Sequence, residues 1–475
     1  MSHLSGKALL FFKVITFLTM VAYSSHAWAG CDMPGVSVIL PLYTSLPFLG
    51  VLLSIALLPL LAPKFWHRFE NVFLSGWTLL SLCMLGQILG SDFLGSTLLG
   101  VAFHEYLPFI ILLGALYIIG SGFHIRLKAK ATSTSNVSFL FVGSLLASVI
   151  GTTGAAMLLL RPFIHMNQGR LYRSHSIIFF IFIVANIGGC LTPLGDPPLF
   201  LGYLNGVDFF WPFENLALPF AITVLPLLII YYCVDLWFSR KEGVKAIQEH
   251  QLEKFSLEGK SNIILLAGVL IVLIGSSFID FLPTYLILDQ QISLSHVLRD
   301  VILLSLAFVS YRTTPASIHH HQHFSWGPIL EVARVFAAIF ITMIPLSIML
   351  KAGEAGPFSS LLHFTNAGHQ SFIYFWLTGI FSAFLDNAPT YLIFFKMAGG
   401  NPELLMTTGA KTLMAISLGA VFMGAMTYIG NAPNFMVRSI AKQSGIAMPG
   451  FLGYMGWSCC ILLPLFIGVT LWLFW

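Results

Sequence analysis

Apolar runs of roughly twenty residues, enough to cross a hydrocarbon core about 30 Å thick, alternate along this chain with short polar loops. The pattern predicts membrane helices over 46–62, 72–90, 107–123, 177–204, 216–238, 262–280, 299–311, 328–350, 411–437 and 454–475. Two further apolar stretches, 137–160 and 371–397, need a separate reading. Four interruptions rich in Gly, Pro, Asn and Thr break the apolar pattern: IGTTGAAMLLL (150–160), NIGGCLTPLGDPPLF (186–200), FLDNAPTYLIF (384–394) and TYIGNAPNFMV (427–437). They fall into two pairs of nearly equal spacing, with Thr152 and Asp196 44 positions apart and Asp386 and Asn431 45 apart. Interrupted hydrophobic segments at corresponding places in two halves point to the binding site of a transporter.

Loop charge orients these segments, because cytoplasmic loops are enriched in Lys and Arg. Loops 63–71, 124–136, 161–176 and 239–260 carry Lys64, Arg68, Arg126, Lys128, Lys130, Arg161, Arg170, Arg173, Arg240, Lys241, Lys245, Lys254 and Lys260, whereas 91–106 and 205–215 carry no Lys or Arg. Stretch 137–160 is therefore flanked by two cytoplasmic loops and reads as a re-entrant hairpin with Gly151-Thr152-Thr153-Gly154 near its tip. The same alternation makes 371–397 a second hairpin that opens to the other side, with Asp386-Asn387-Ala388-Pro389 near its tip. Arg312, Arg438 and Lys442 then fall inside, and Arg299, Lys351, Lys396 and Lys411 outside.

The expected fold is an all-α polytopic membrane protein of two inverted-topology repeats, each with about five transmembrane helices, a re-entrant hairpin and a broken helix. The repeats occupy 46–238 and 262–475 and are joined by a cytoplasmic linker, 239–260. Residues 1–29 have the layout of a signal peptide or N-terminal membrane anchor: Lys7 and Lys13, an apolar stretch, then Ala27-Trp28-Ala29. The expected location is a bacterial-type inner (plasma) membrane.

Composition agrees, since 57% of residues are hydrophobic and only 9% charged, against about 25% charged in soluble domains. The net charge of +4 reflects loop orientation and implies no nucleic-acid partner. The expected partners are the lipid bilayer and a small inorganic cation or a carboxylate, with a homodimer as one option. Cys31, Cys83, Cys190, Cys233, Cys459 and Cys460 are scattered without metal-site spacing, so they read as packing residues, and neither a metal centre nor a cofactor is expected beyond Na+ and H+ as transported or coupling ions.

In hydrocarbon a broken helix survives only where protein, water or a bound ion satisfies the freed backbone groups. Carbonyls released by Pro193, Pro197, Pro198, Pro389 and Pro433, together with Thr152, Thr153, Thr192, Asn186, Asn387, Thr390, Thr427, Asn431 and Asn434, offer oxygen ligands suited to a hard cation. Half-helix N-termini at the same breaks suit an anion instead. Asp196 and Asp386 tilt the reading toward a cation: a carboxylate at membrane depth is costly, and a proton and a sodium ion would compete to neutralise it. Capping of a helix break is the simpler role for either acid.

Other polar residues carry less. Arg334 is read as paired with Glu331 or snorkelling, the His319–His323 loop as a solvated linker, and Glu105, Asp235 and Asp280 as span-end residues without a special role. An intramembrane aspartic protease is disfavoured because Pro-Leu-Gly precedes Asp196 and Pro197-Pro198 follows it; no enzyme activity is expected. A passive channel is also disfavoured, since hairpins of opposite opening suit alternating gates.

NIGGCLTPLGDPP (186–198) and SAFLDNAP (382–389) resemble the signatures of the ion-transporter superfamily, closest to NhaD-type sodium/proton antiporters and a neighbouring group of citrate transporters. The resemblance implies ion handling by Asp196, Asp386, Asn186 and Asn387, with Ser382 in support. Where the antiporters carry a further Asp-Asn in the first hairpin, this chain has Thr152-Thr153. The reading is therefore a secondary active transporter, sodium/proton antiport by competition at the aspartates being the first expectation and sodium- or proton-coupled symport of citrate or a dicarboxylate the alternative.

Overall fold

A segment in hydrocarbon must satisfy its own backbone amides and carbonyls, and the helix does so without a neighbour. The computed structural model describes residues 40–126, 131–242, 256–276, 278–279, 282–287, 290–321, 324–352, 356–358 and 370–475. The signal or anchor over 1–29, Cys31, Asp280, His323 and much of the linker lie outside the described residues.

The first part of the chain forms α1 (Leu46–Leu61), α2 (Pro63–Leu89), α3 (Ser91–Gly100), α4 (Leu107–Gly120), α5 (Ser133–Ile150), α6 (Thr152–Met166), α7 (Ser174–Ile183), α8 (Pro197–Leu204) and α9 (Trp211–Glu242). The second forms α10 (Ser261–Ser276), α11 (Leu294–Thr313), α12 (Ala316–His321), α13 (Gly327–Lys351), α14 (Gln370–Phe384), α15 (Asn387–Met397), α16 (Pro402–Met406), α17 (Ala410–Met423), α18 (Ala432–Gln443) and α19 (Phe451–Phe474). Among the described residues strands are confined to two short antiparallel pairs, β1 (His124–Arg126) with β2 (Ser256–Glu258), and β3 (Thr284–Ile287) with β4 (Gln290–Ser293). Nine helical stretches among the described residues are long and apolar enough to cross a membrane, and exposed side chains such as Leu57, Ile229, Ile264, Leu452 and Trp472 present apolar surface outward. The protein is a multi-pass membrane protein.

The spans 177–204 and 411–437 are each broken in two. In the first, α7 gives way to a 3-10 turn (Ile187–Leu191) and then α8; in the second, α17 gives way to Gly424–Met426 and then α18. The stretch Ser174–Leu191 is 94% buried, so the first break sits at the centre of the molecule, wrapped by protein rather than lipid. Helices α5 and α6 pack on one another around Gly151, and α14 packs closely along α17.

The structure corrects the expectation that 91–106 is a loop. Ser91–Gly120 is one helical stretch of 30 residues, with a π turn at Val101–Tyr106 joining α3 to α4. The polar groups of this stretch find partners that a helix can keep. His104 contacts the carbonyl oxygens of Gly100 and Gln291, and Glu105 pairs with Lys396 at 3.2 Å.

Asp235 is a second correction, because it is fully buried rather than an idle span-end residue. Its carboxylate meets His175 Nε2 at 2.8 Å and Arg170 Nη2 at 3.3 Å, while Arg170 Nε donates to Glu242 at 2.7 Å. Glu242 also accepts from the backbone amide of Tyr172 at 2.8 Å. The cluster joins the loop after α6 to the end of α9. Removing one member of a buried ionic cluster leaves the others uncompensated, at about 3–5 kcal/mol. Asp235→Asn should accordingly lower the thermal unfolding midpoint in detergent clearly, whereas Asp92→Asn, an exposed control, should leave it within a degree or two of wild type.

Candidate functional site

The two breaks are built from matching parts. Thr192 Oγ donates to the Ser148 carbonyl and accepts from the Leu194 amide at 3.1 Å; Thr427 Oγ donates to the Ala383 carbonyl and accepts from the Ile429 amide at 3.1 Å. Each threonine lies 44 residues after the carbonyl that it holds. A hydroxyl thus replaces the backbone bond that the helix gives up at its break. The chain then turns so tightly that a Cβ on Gly195 would fall 2.1 Å from Gly189 O, and one on Gly430 would fall 2.6 Å from Gly424 O. Asp196 and Asn431 follow as the residues that open α8 and α18, with nearly the same backbone angles (φ −148, ψ 142 and φ −152, ψ 137).

These turns bring Asp196 to the start of two other helices. Thr152, the first residue of α6, donates its hydroxyl to Asp196 Oδ1 at 2.8 Å. Asn387, the first residue of α15, donates its amide to Asp196 Oδ2 at 2.5 Å. Asn431 donates to Oδ1 at 3.1 Å. Among the described residues every hydrogen bond to this carboxylate comes from a neutral group, and the residue is buried, with an exposure of 1%. The N-termini of α6, α8, α15 and α18 converge here, so the dipoles of four helices direct positive potential at the acid.

The other predicted residues take supporting places. Asn186 donates to Asn434 Oδ1 at 2.7 Å and to the Ile181 carbonyl at 2.8 Å, and Asn434 donates to the carbonyls of Gly424 and Thr427. The two breaks are thereby bonded side chain to side chain. Ser382 donates to the Ala420 carbonyl at 2.6 Å, which ties α14 to α17, and Thr390 turns back onto the Asp386 carbonyl at 2.9 Å. Thr153 is half-buried beside Thr152. Asp386 caps α15 by accepting from the Ala388 amide at 3.2 Å, so the residue next to it, Asn387, is the one that reaches Asp196. The matching position to Thr152 is therefore Asn387, and Asp386 answers to Gly151, the φ +80 residue that opens α6.

Two amide oxygens, Asn186 Oδ1 and Asn387 Oδ1, are buried and accept no hydrogen bond from any described group. A hard cation takes such oxygens as ligands. No group of three or more His, Cys, Asp or Glu among the described residues could hold a metal ion. Sequence reasoning missed Ser148, whose hydroxyl donates to the Gly188 carbonyl and accepts from the Leu191 amide. It also missed the glycine pairs, although Gly189/Gly195 and Gly424/Gly430 share one spacing that is visible in the sequence. Arg334 bonds Asn71 at 2.8 Å on the exposed surface, away from this junction.

Overfilling a tight backbone contact costs about 1–3 kcal/mol or more. Gly195→Ala and Gly430→Ala should each reduce the yield of monodisperse protein in detergent and lower its unfolding midpoint, while Gly275→Ala, where a Cβ meets open space, should do neither.

Residues 37–475 match the family model described as "Putative citrate transport", and the chain belongs to that family. None of the curated proteins matches it.

Proposed function

We propose that this member of a citrate-transport family carries a citrate-type carboxylate across the membrane in symport with a cation, sodium or a proton, that binds at Asp196. The observation that carries the reading is the charge balance at the junction. Four helix N-termini contribute about +0.5 each, or roughly +2, and Asp196 and Asp386 together can contribute about the same charge of opposite sign. With both acids ionised the junction has no surplus attraction for a polyanion. A proton or sodium ion taken up there would leave the helix ends to hold the carboxylate, so the anion would bind only after the cation. Coupling is then an electrostatic requirement rather than an added device.

The ligands in this scheme are Asp196, Asn387, Thr152 and Asn431 in direct contact, with Asn186, Asn434, Thr192, Thr427 and Thr390 shaping the breaks, Asp386 and Thr153 at the hairpin tips, and Ser382 fixing α14. Alternating access by two inverted repeats, 46–238 and 262–475, is supported by the constant offset of 235 between matched residues, which relates Asp196 to Asn431 and likewise Thr152 to Asn387 and Thr192 to Thr427. The basic loops support an inner-membrane orientation with 239–260 in the cytoplasm. Sodium/proton antiport remains a second reading, favoured by the unpaired oxygens of Asn186 and Asn387 beside an acid, a donor set that needs no organic substrate.

Vesicles holding the purified protein separate the two. Symport predicts labelled citrate uptake that requires an inward sodium or proton gradient and falls at least about a hundredfold in Asp196→Asn, which is about 2.7 kcal/mol of lost stabilisation. Sodium-driven proton release without citrate uptake would replace symport by antiport. Asn431→Asp sets a second buried acid against Asp196 in place of a donor; it should shift the dependence on pH or sodium and lower the unfolding midpoint, less so at low pH where one acid is protonated.

A further inference from the structure

Helix α9 has 32 residues, about 48 Å at 1.5 Å per residue, and so exceeds a hydrocarbon core about 30 Å thick. Its last turn therefore stands at headgroup level. An open groove of about 480 Å³ runs between this end of α9 and α19, lined by Cys233, Val234, Trp237, Phe238 and Trp457. Every lining side chain is apolar or aromatic. At the groove's outer rim Lys241 lies over two rings, with Nζ 5.4 Å from the centre of Tyr172 and 5.3 Å from that of Trp237.

The neighbouring acid is not available to Lys241. Glu242 is taken by Arg170 at 2.7 Å and by the Tyr172 amide, and no ion pair involving Lys241 exists among the described residues. The ammonium is thus held in place by aromatic faces, an arrangement that orients a cation without neutralising it. Arg240, also exposed, precedes it.

We propose that the groove between α9 and α19 is a binding site for an anionic phospholipid, its acyl chain along Trp237, Phe238 and Trp457 and its phosphate on Lys241. The apolar and aromatic lining of the groove matches an acyl chain, and the unneutralised ammonium at its mouth matches the headgroup. Zwitterionic lipid could enter the same groove but would offer Lys241 no net charge.

Native mass spectrometry of the full chain, delipidated and titrated with equal amounts of phosphatidylglycerol and phosphatidylcholine of the same acyl chains, tests this. Wild type should retain phosphatidylglycerol with about a fivefold preference, the effect of one basic residue at the headgroup level. Lys241→Gln, a surface change, should bring the two lipids to parity, and Trp457→Ala should weaken retention of both. Unchanged preference in Lys241→Gln, or equal retention by wild type, would overturn the proposal. So would ready cross-linking of Cys233 between copies in vesicles, with exposed Cys83 and Cys460 replaced by Ser, because a second copy would then fill the groove.

Discussion

A buried carboxylate with no cationic partner among the described residues is the constraint around which this molecule is arranged. Asp196 has only a hydroxyl and two carboxamides for company, and neutral donors offset only part of what an acid loses on leaving water. The remainder falls to the helix termini gathered around it. Four N-termini can meet at one point only if four helices begin in the middle of the protein, which forces both long segments to break. The breaks are therefore consequences of the acid's position as much as the other way round.

Breaking a helix in an apolar interior exposes carbonyls that must be paired again. Thr192 and Thr427 do this with one hydroxyl each, donating to one carbonyl and accepting from backbone amides, one at Thr192 and two at Thr427. Asn186 and Asn434 then tie the two breaks together across the centre. Because these bonds come from side chains rather than from a continuous backbone ladder, the half-helices are joined at points and not along lines. Small rotations about those points do not require a backbone ladder to be broken, which is what a carrier in hydrocarbon needs.

The long spans, the two hairpin turns and both breaks were legible in the sequence because apolar length and Gly/Pro/Asn punctuation are local signals. What depends on distant partners was not. The burial of Asp235 comes from Arg170 and His175, on a different segment, and helix in 91–106 depends on contacts from Lys396 and Gln291. The register within the second pair was misjudged by one position for a physical reason. An acid draws attention at a helix break, yet Asp386 caps its own helix while the less conspicuous Asn387 points across the junction. The spacing of 44 in the first pair, carried to the second, selects Asn387.

The glycine contacts divide the junction into what can drift and what cannot. Gly189, Gly195, Thr192 and their counterparts Gly424, Gly430 and Thr427 are the same in both breaks, and the backbone leaves no space for a Cβ at either turn. Thr152 and Asn387, like Asp196 and Asn431, differ between the two while keeping the same place. The side chains that meet at the junction thus vary over four matched positions on a shared frame, so under the proposed function descendants of such a chain could acquire a new cargo through single Asp, Asn or Thr exchanges without first having to invent a new hinge.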